Sequence, residues 1–77
     1  MSARPIKRSL TLKGHRTSVS LEDPFWRAFR EIAQAQGKAI NELAAEIDAS
    51  RGVESGLASA IRLYVLDFYR TRDQDRA

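Results

Sequence analysis

The sequence predicts a mostly α-helical domain that carries a short β-ribbon near its N-terminal end. Two runs, about residues 7–13 and 15–21, alternate polar and apolar side chains with the period of a strand. Three segments with helical spacing follow, at about 24–36, 39–49 and 56–71. The chain has 77 residues and no cysteine, so it forms one domain whose core is small for independent stability. Disulfides and thiolate metal sites are excluded, and His15 is the only histidine. No metal or cofactor is expected, and oligomerisation is the stabilising device left.

Residues 1–6, with Pro5, show no periodicity and read as a flexible arm. In the first run Leu10 and Leu12 share a side, with Lys7, Ser9, Thr11 and Lys13 opposite. In the second, Thr17, Val19 and Leu21 share one face, and Arg16, Ser18 and Ser20 the other. A tight loop at Lys13-Gly14 would set Leu12 against His15, Leu10 against Thr17 and Arg8 against Val19. That register gathers the apolar residues on one face and the polar ones on the other. Two arrangements satisfy it: the first run pairs in the sheet, or it orders only on binding. His15, at the mouth of the turn, reads as a solvated turn residue rather than a phosphate contact.

Glu22-Asp23-Pro24 is a helix start, with Asp23 as N-cap and Pro24 in the first helical position. Phe25, Phe29, Ile32, Ala33 and Gln36 follow on one face with Trp26 at its edge, and Arg27 and Glu31 are spaced for an ion pair on the wet side. Gly37 ends this helix. Ile40, Leu43, Ala44 and Ile47 form the apolar stripe of the second, which stops at Ser50-Arg51-Gly52. With Ser55 as N-cap, the third helix sets Leu57, Ala60, Ile61, Tyr64, Val65 and Phe68 on one face and leaves Leu63 and Leu66 outside it. An apolar circumference this wide calls for contacts on more than one side, which a dimer supplies. Residues 72–77 read as a frayed tail, so that 7–71 is the domain.

The formal charge of +3 is unevenly placed. Residues 1–21 hold Arg4, Lys7, Arg8, Lys13 and Arg16 with no acid, while the remainder is net acidic. A polyanion contact would explain that asymmetry, although on charge alone a solvated basic tail does so equally well. No stretch is long and apolar enough for a membrane span or a signal peptide, so a cytoplasmic protein is expected. Glu42, Glu46 and Asp48 are a solvated helix face, and no nucleophile and base, metal cluster or phosphate loop marks an enzyme.

From Arg16 to about Ala49 the chain resembles the ribbon-helix-helix DNA-binding domain of the Arc and MetJ type. The resemblance lies in the alternating strand Arg16-Thr17-Ser18-Val19-Ser20-Leu21, the acidic-proline entry to the first helix, Gly37, and the stripe Ile40, Leu43, Ala44, Ile47. The whole chain looks like a bacterial branch with an extra N-terminal strand and an added C-terminal helix.

The resemblance implies an intertwined homodimer, or a higher even oligomer, whose paired ribbon enters the major groove of double-stranded DNA. Arg16, Ser18 and Ser20 then take the base-reading role, and Arg16 discriminates most because its guanidinium can bond two guanine acceptors at once. Lys7, Lys13, Lys38, Ala39, Ile40 and Asn41 would hold phosphates, Ala39 and Ile40 through backbone N–H at a helix start. Ala39 departs from the serine or threonine common at its position. Val19, Leu21, Ile40, Leu43, Ile47, Ile61, Tyr64 and Phe68 are expected in the dimer core. If each subunit adds an outer strand, the dimer presents four, too wide for a groove of about 12 Å; either the outer strand moves aside or the partner is not a groove. The expected function is therefore a transcriptional regulator or repressor. The alternative is a protein-interaction dimer such as an antitoxin or a docking subunit, with a protein partner.

Overall fold

The computed structural model describes residues 4–52 and 56–75, with the side chains of 73–75 excepted. Strands β1 (Pro5–Leu12) and β2 (His15–Glu22) form an antiparallel hairpin, followed by helices α1 (Asp23–Ala35), α2 (Ile40–Ser50) and α3 (Leu57–Asp75). The register sets Leu12 opposite His15, Leu10 opposite Thr17 and Arg8 opposite Val19, the one in which both apolar sets share a face. Lys13 and Gly14 both have positive φ, +51° and +85°, the signature of a two-residue type I′ turn that suits the twist of the strands. Glycine takes that conformation freely and Lys13 does so at a cost.

The helices cover the apolar face of this hairpin. Leu10, Val19 and Leu21 from the ribbon, Phe29, Ile32 and Ala33 from α1, Leu43, Ala44 and Ile47 from α2, and Ile61 and Val65 from α3 make one buried cluster. Every element contributes to it. Among the residues expected between subunits, Val19, Leu21, Leu43, Ile47 and Ile61 lie in this core, with Ile40, Tyr64 and Phe68 half-buried against it.

Several boundaries differ from those the sequence suggests. Pro5 and Ile6 belong to β1 rather than to an arm, because both pair across the hairpin, with Glu22 and Leu21. Helix α3 runs on through residues 72–75. Glu22, not Asp23, occupies the N-cap of α1 and makes no capping bond with its side chain; Asp23 is the first helical residue. The Asp23 carboxylate is instead taken by Arg8 at 3.0 Å and Arg27 at 2.9 Å, so Arg27 pairs one turn back and not with Glu31. Thr17 is exposed, since it borders an open cleft with Leu12, Ala45 and Leu57 where no helix covers β2. The expected cap Ser55 lies outside the described residues.

The turn between α1 and α2 is a Schellman motif. Gly37 has φ +69°, the N–H of Lys38 bonds the carbonyl of Ala33 at 2.9 Å, and the N–H of Gly37 bonds that of Gln34 at 3.0 Å. This closure fixes where α2 begins relative to the ribbon.

Candidate nucleic-acid interface

Residues directly opposite in an antiparallel ladder share a face. The outward face of the hairpin is therefore a row of three pairs, Lys7 with Ser20, Ser9 with Ser18 and Thr11 with Arg16, all six exposed. It presents two cations and four hydroxyls, and Lys13 extends it at the tip. Glu22 and Asp23 lie at the open end and are neutralised by Arg62, Arg8 and Arg27, while Glu42 and Glu46 of the second helix border a cleft with Thr11 and Lys13. Donors thus dominate the face and none of its six side chains is a carboxylate, which suits acceptor-rich base edges and phosphates.

A two-residue turn makes Leu12 and His15 the hydrogen-bonded closing pair, and such pairs alternate with pairs that are not bonded to each other. The backbone groups of Lys7, Ser9, Thr11, Arg16, Ser18 and Ser20 accordingly point off the two edges of the hairpin. Two contacts agree with this pattern. On the β1 edge, the N–H of Thr11 donates to Asn41 Oδ1 at 3.1 Å. On the β2 edge, the carbonyl of Ser20 accepts from Arg62 Nη2 at 3.3 Å. The hairpin is thereby pinned once to α2 and once to α3, near opposite ends.

The start of α2 flanks the β1 edge. Its N-cap, Ala39, is extended and offers no capping oxygen, and the first helical bond runs from the N–H of Leu43 to the carbonyl of Ala39. The amides of Ile40, Asn41 and Glu42 are left without intrahelical acceptors. Lys38 lies 2.7 Å from Glu46, and that hydrogen bond holds the lysine pKa above its ordinary value. Glu42 also sits in the first turn of α2. The helix start is therefore less positive than the ribbon, and the ribbon carries most of the field.

Two clamps behind the face escape a reading of the sequence. Arg8, opposite Val19 on the inner side, bonds Asp23 and lies 5.2 Å from the centroid of the Trp26 ring. Arg62 donates to Glu22 Oε1 at 2.9 Å through Nε and lies over the Phe25 ring at 5.8 Å. The Glu22 carboxyl is held below the usual glutamate range, first by hydrogen bonding at its own backbone and then by Arg62. The only hint in the sequence is that the acids begin immediately after an acid-free stretch.

The ribbon-helix-helix domain family matches residues 5–69, which span both strands and nearly all of the three helices. The chain belongs to the ribbon-helix-helix family. Comparison with curated proteins and with solved structures finds no match. Ribbon-helix-helix domains are typically DNA-binding regulators or antitoxins, are generally non-enzymatic, and bind DNA as dimers. In this member the hairpin precedes the helices in the family order, and a third helix packs against both ribbon and bundle. No helix among the described residues is long and apolar enough to cross a membrane.

Proposed function

We propose that this protein is a sequence-specific DNA-binding transcriptional regulator of the bacterial cytoplasm, a homodimeric repressor that presents a β-ribbon to the major groove. The observation that carries the reading is the outward face of the hairpin, six exposed side chains with two cations, four hydroxyls and no carboxylate. Arg16, Ser18 and Ser20 meet base edges. Lys7, Lys13 and Lys38 meet phosphates, helped by the backbone N–H groups of Ala39 and Ile40 and the side chain of Asn41. For Lys38 this requires sharing or releasing Glu46.

Salt dependence tests the reading directly. A dimer touching about 6 to 10 phosphates loses about 10³- to 10⁵-fold in duplex affinity between 50 and 200 mM salt. Fluorescence anisotropy with a labelled duplex measures that slope. A flat salt response, or no binding at low micromolar protein, removes the DNA reading.

A second reading, a protein-interaction dimer such as an antitoxin or docking subunit, draws on Leu63 and Leu66. These side chains of α3 are 63% and 52% exposed, an apolar surface that the core does not use. Recovery of a stable protein partner together with no duplex binding would favour it.

A further inference from the structure

We infer that β1 is a phosphate-binding strand: in the DNA complex it lies over the sugar-phosphate wall of the major groove and holds that backbone with Lys7, Ser9 and Thr11, while base reading stays with β2. The assignment rests on the DNA-binding reading and gives a role to the strand that precedes the base-reading one. It also answers the problem of width, because a strand on the wall need neither enter the groove nor move aside.

Dimensions place the strand. The ribbon implied by the resemblance pairs the β2 strands of two subunits, so each β1, hydrogen-bonded to its own β2, flanks that central pair on the outside. The backbone groups of Arg16 and Ser18 point off the β2 edge and suit such a pairing, whereas the β1 edge is met by Asn41 at the start of α2. Neighbouring strands lie about 4.8 Å apart, so the two outer strands are centred about 14 Å from each other. The major groove is about 12 Å wide and admits two strands. Each β1 therefore coincides with one wall, where the phosphates are.

The chemistry of the two strands divides the same way. Planar side chains that make two bonds to one base, those of arginine, asparagine and glutamine, are absent from the outward face of β1. Its only arginine, Arg8, is turned to the inner face, bonded to Asp23 at 3.0 Å and set 5.2 Å from the centroid of the Trp26 ring, so it is withdrawn from DNA. What β1 shows outward is one ammonium and two hydroxyls, all exposed, which donate to phosphate oxygens without regard to sequence. The bond from the N–H of Thr11 to Asn41 Oδ1 brings the start of α2 alongside, so the amides left over at that helix start and the outward side chains of β1 form one donor surface. Glu42, in the cleft beside Thr11, is the acid that tempers this surface, since Glu46 is bonded to Lys38 at 2.7 Å and Glu22 and Asp23 are held by arginines. The Lys7 and Ser9 end therefore carries the stronger field.

Salt titrations of duplex affinity with wild type, Ser9→Lys and Lys7→Gln test this, with base preference followed by selection from a random pool. Both positions are exposed, so neither substitution disturbs the core. Ser9→Lys adds one phosphate contact per subunit and is expected to steepen the slope of log affinity on log salt by about 1.8 per dimer, which is about tenfold more loss between 50 and 200 mM. Lys7→Gln is expected to make the slope shallower by a similar amount, and neither variant changes which bases are preferred. An unchanged slope with either variant places β1 away from the backbone and overturns the proposal. A gained or lost base preference with either variant places β1 inside the groove and overturns it too; that response belongs to Arg16→Ala. Wild type that binds no duplex at low salt defeats the DNA reading itself, whereas salt-dependent binding by wild type with unaltered slopes in the variants defeats only the assignment of β1.

Discussion

The two faces of the hairpin share strands, register and turn, yet they do different physical work. On the inner face Leu10, Val19 and Leu21 are between 0% and 5% exposed, and their identity is set by the volume the helices leave. On the outer face Lys7, Ser9, Thr11, Arg16, Ser18 and Ser20 touch no core, and folding places no packing demand on them. Chemistry toward a partner is what remains to choose them. The difference teaches that one alternating stretch can separate stability from recognition residue by residue, because neighbouring side chains in a strand point to opposite sides. Not every inner-face residue is apolar and buried: His15 and Thr17 are exposed, and the cation Arg8 is accommodated by Asp23 and Trp26.

The largest expected effect breaks the inner face. Leu21→Ala should cost about 2 to 5 kcal/mol, read as a lower urea midpoint, while the folded fraction keeps its base preference. On the outer face the order reverses. Arg16→Ala should lose about 1 to 3 kcal/mol of discrimination at one base position, measured by competition between duplexes, with stability changed by less than about 0.5 kcal/mol. A mutation at Arg16 that unfolds the protein would erase the distinction between the faces.

Smaller effects sharpen the boundary between them. Asn41→Ala removes the acceptor for the N–H of Thr11 and should cost about 0.5 to 1.5 kcal/mol, with hydrogen exchange rising first at the hairpin tip. Glu22 offers a test by pH. Its pKa is depressed in the folded chain, so its contribution is present above the ordinary glutamate value of about 4.3 and is lost as pH falls through the lower folded value. The stability gap between wild type and Glu22→Gln should therefore close in acid, as monitored by thermal melts. Lys13→Asn should raise stability by less than about 1 kcal/mol, because asparagine accepts the positive φ better, yet weaken duplex binding through the lost charge.

Much of the fold is legible in local pattern. Period-two alternation on both sides of Lys13-Gly14 specifies the hairpin register, since a slip of one residue would turn Leu10 and Val19 into solvent. Gly37 marks the end of α1 because its positive φ is what the helix closure requires. Asp23 is misplaced by one residue because its carboxylate is drawn to Arg8 and Arg27, partners whose effect on the cap is not visible in local propensity. Arg62, 40 residues from Glu22, has no local signature at all. Asn41 reads as a helix-start residue from sequence and proves also to hold the strand beside it.

The sequence by itself determined which elements form and which side chains of the ribbon face outward, because backbone periodicity and turn chemistry act over a few residues. Only the tertiary structure decided that β1 pairs with β2, that every element meets in one buried cluster, and that α2 and α3 each hold one edge of the hairpin. Those outcomes depend on packing and on hydrogen bonds between residues 30 to 42 positions apart, which no local pattern encodes.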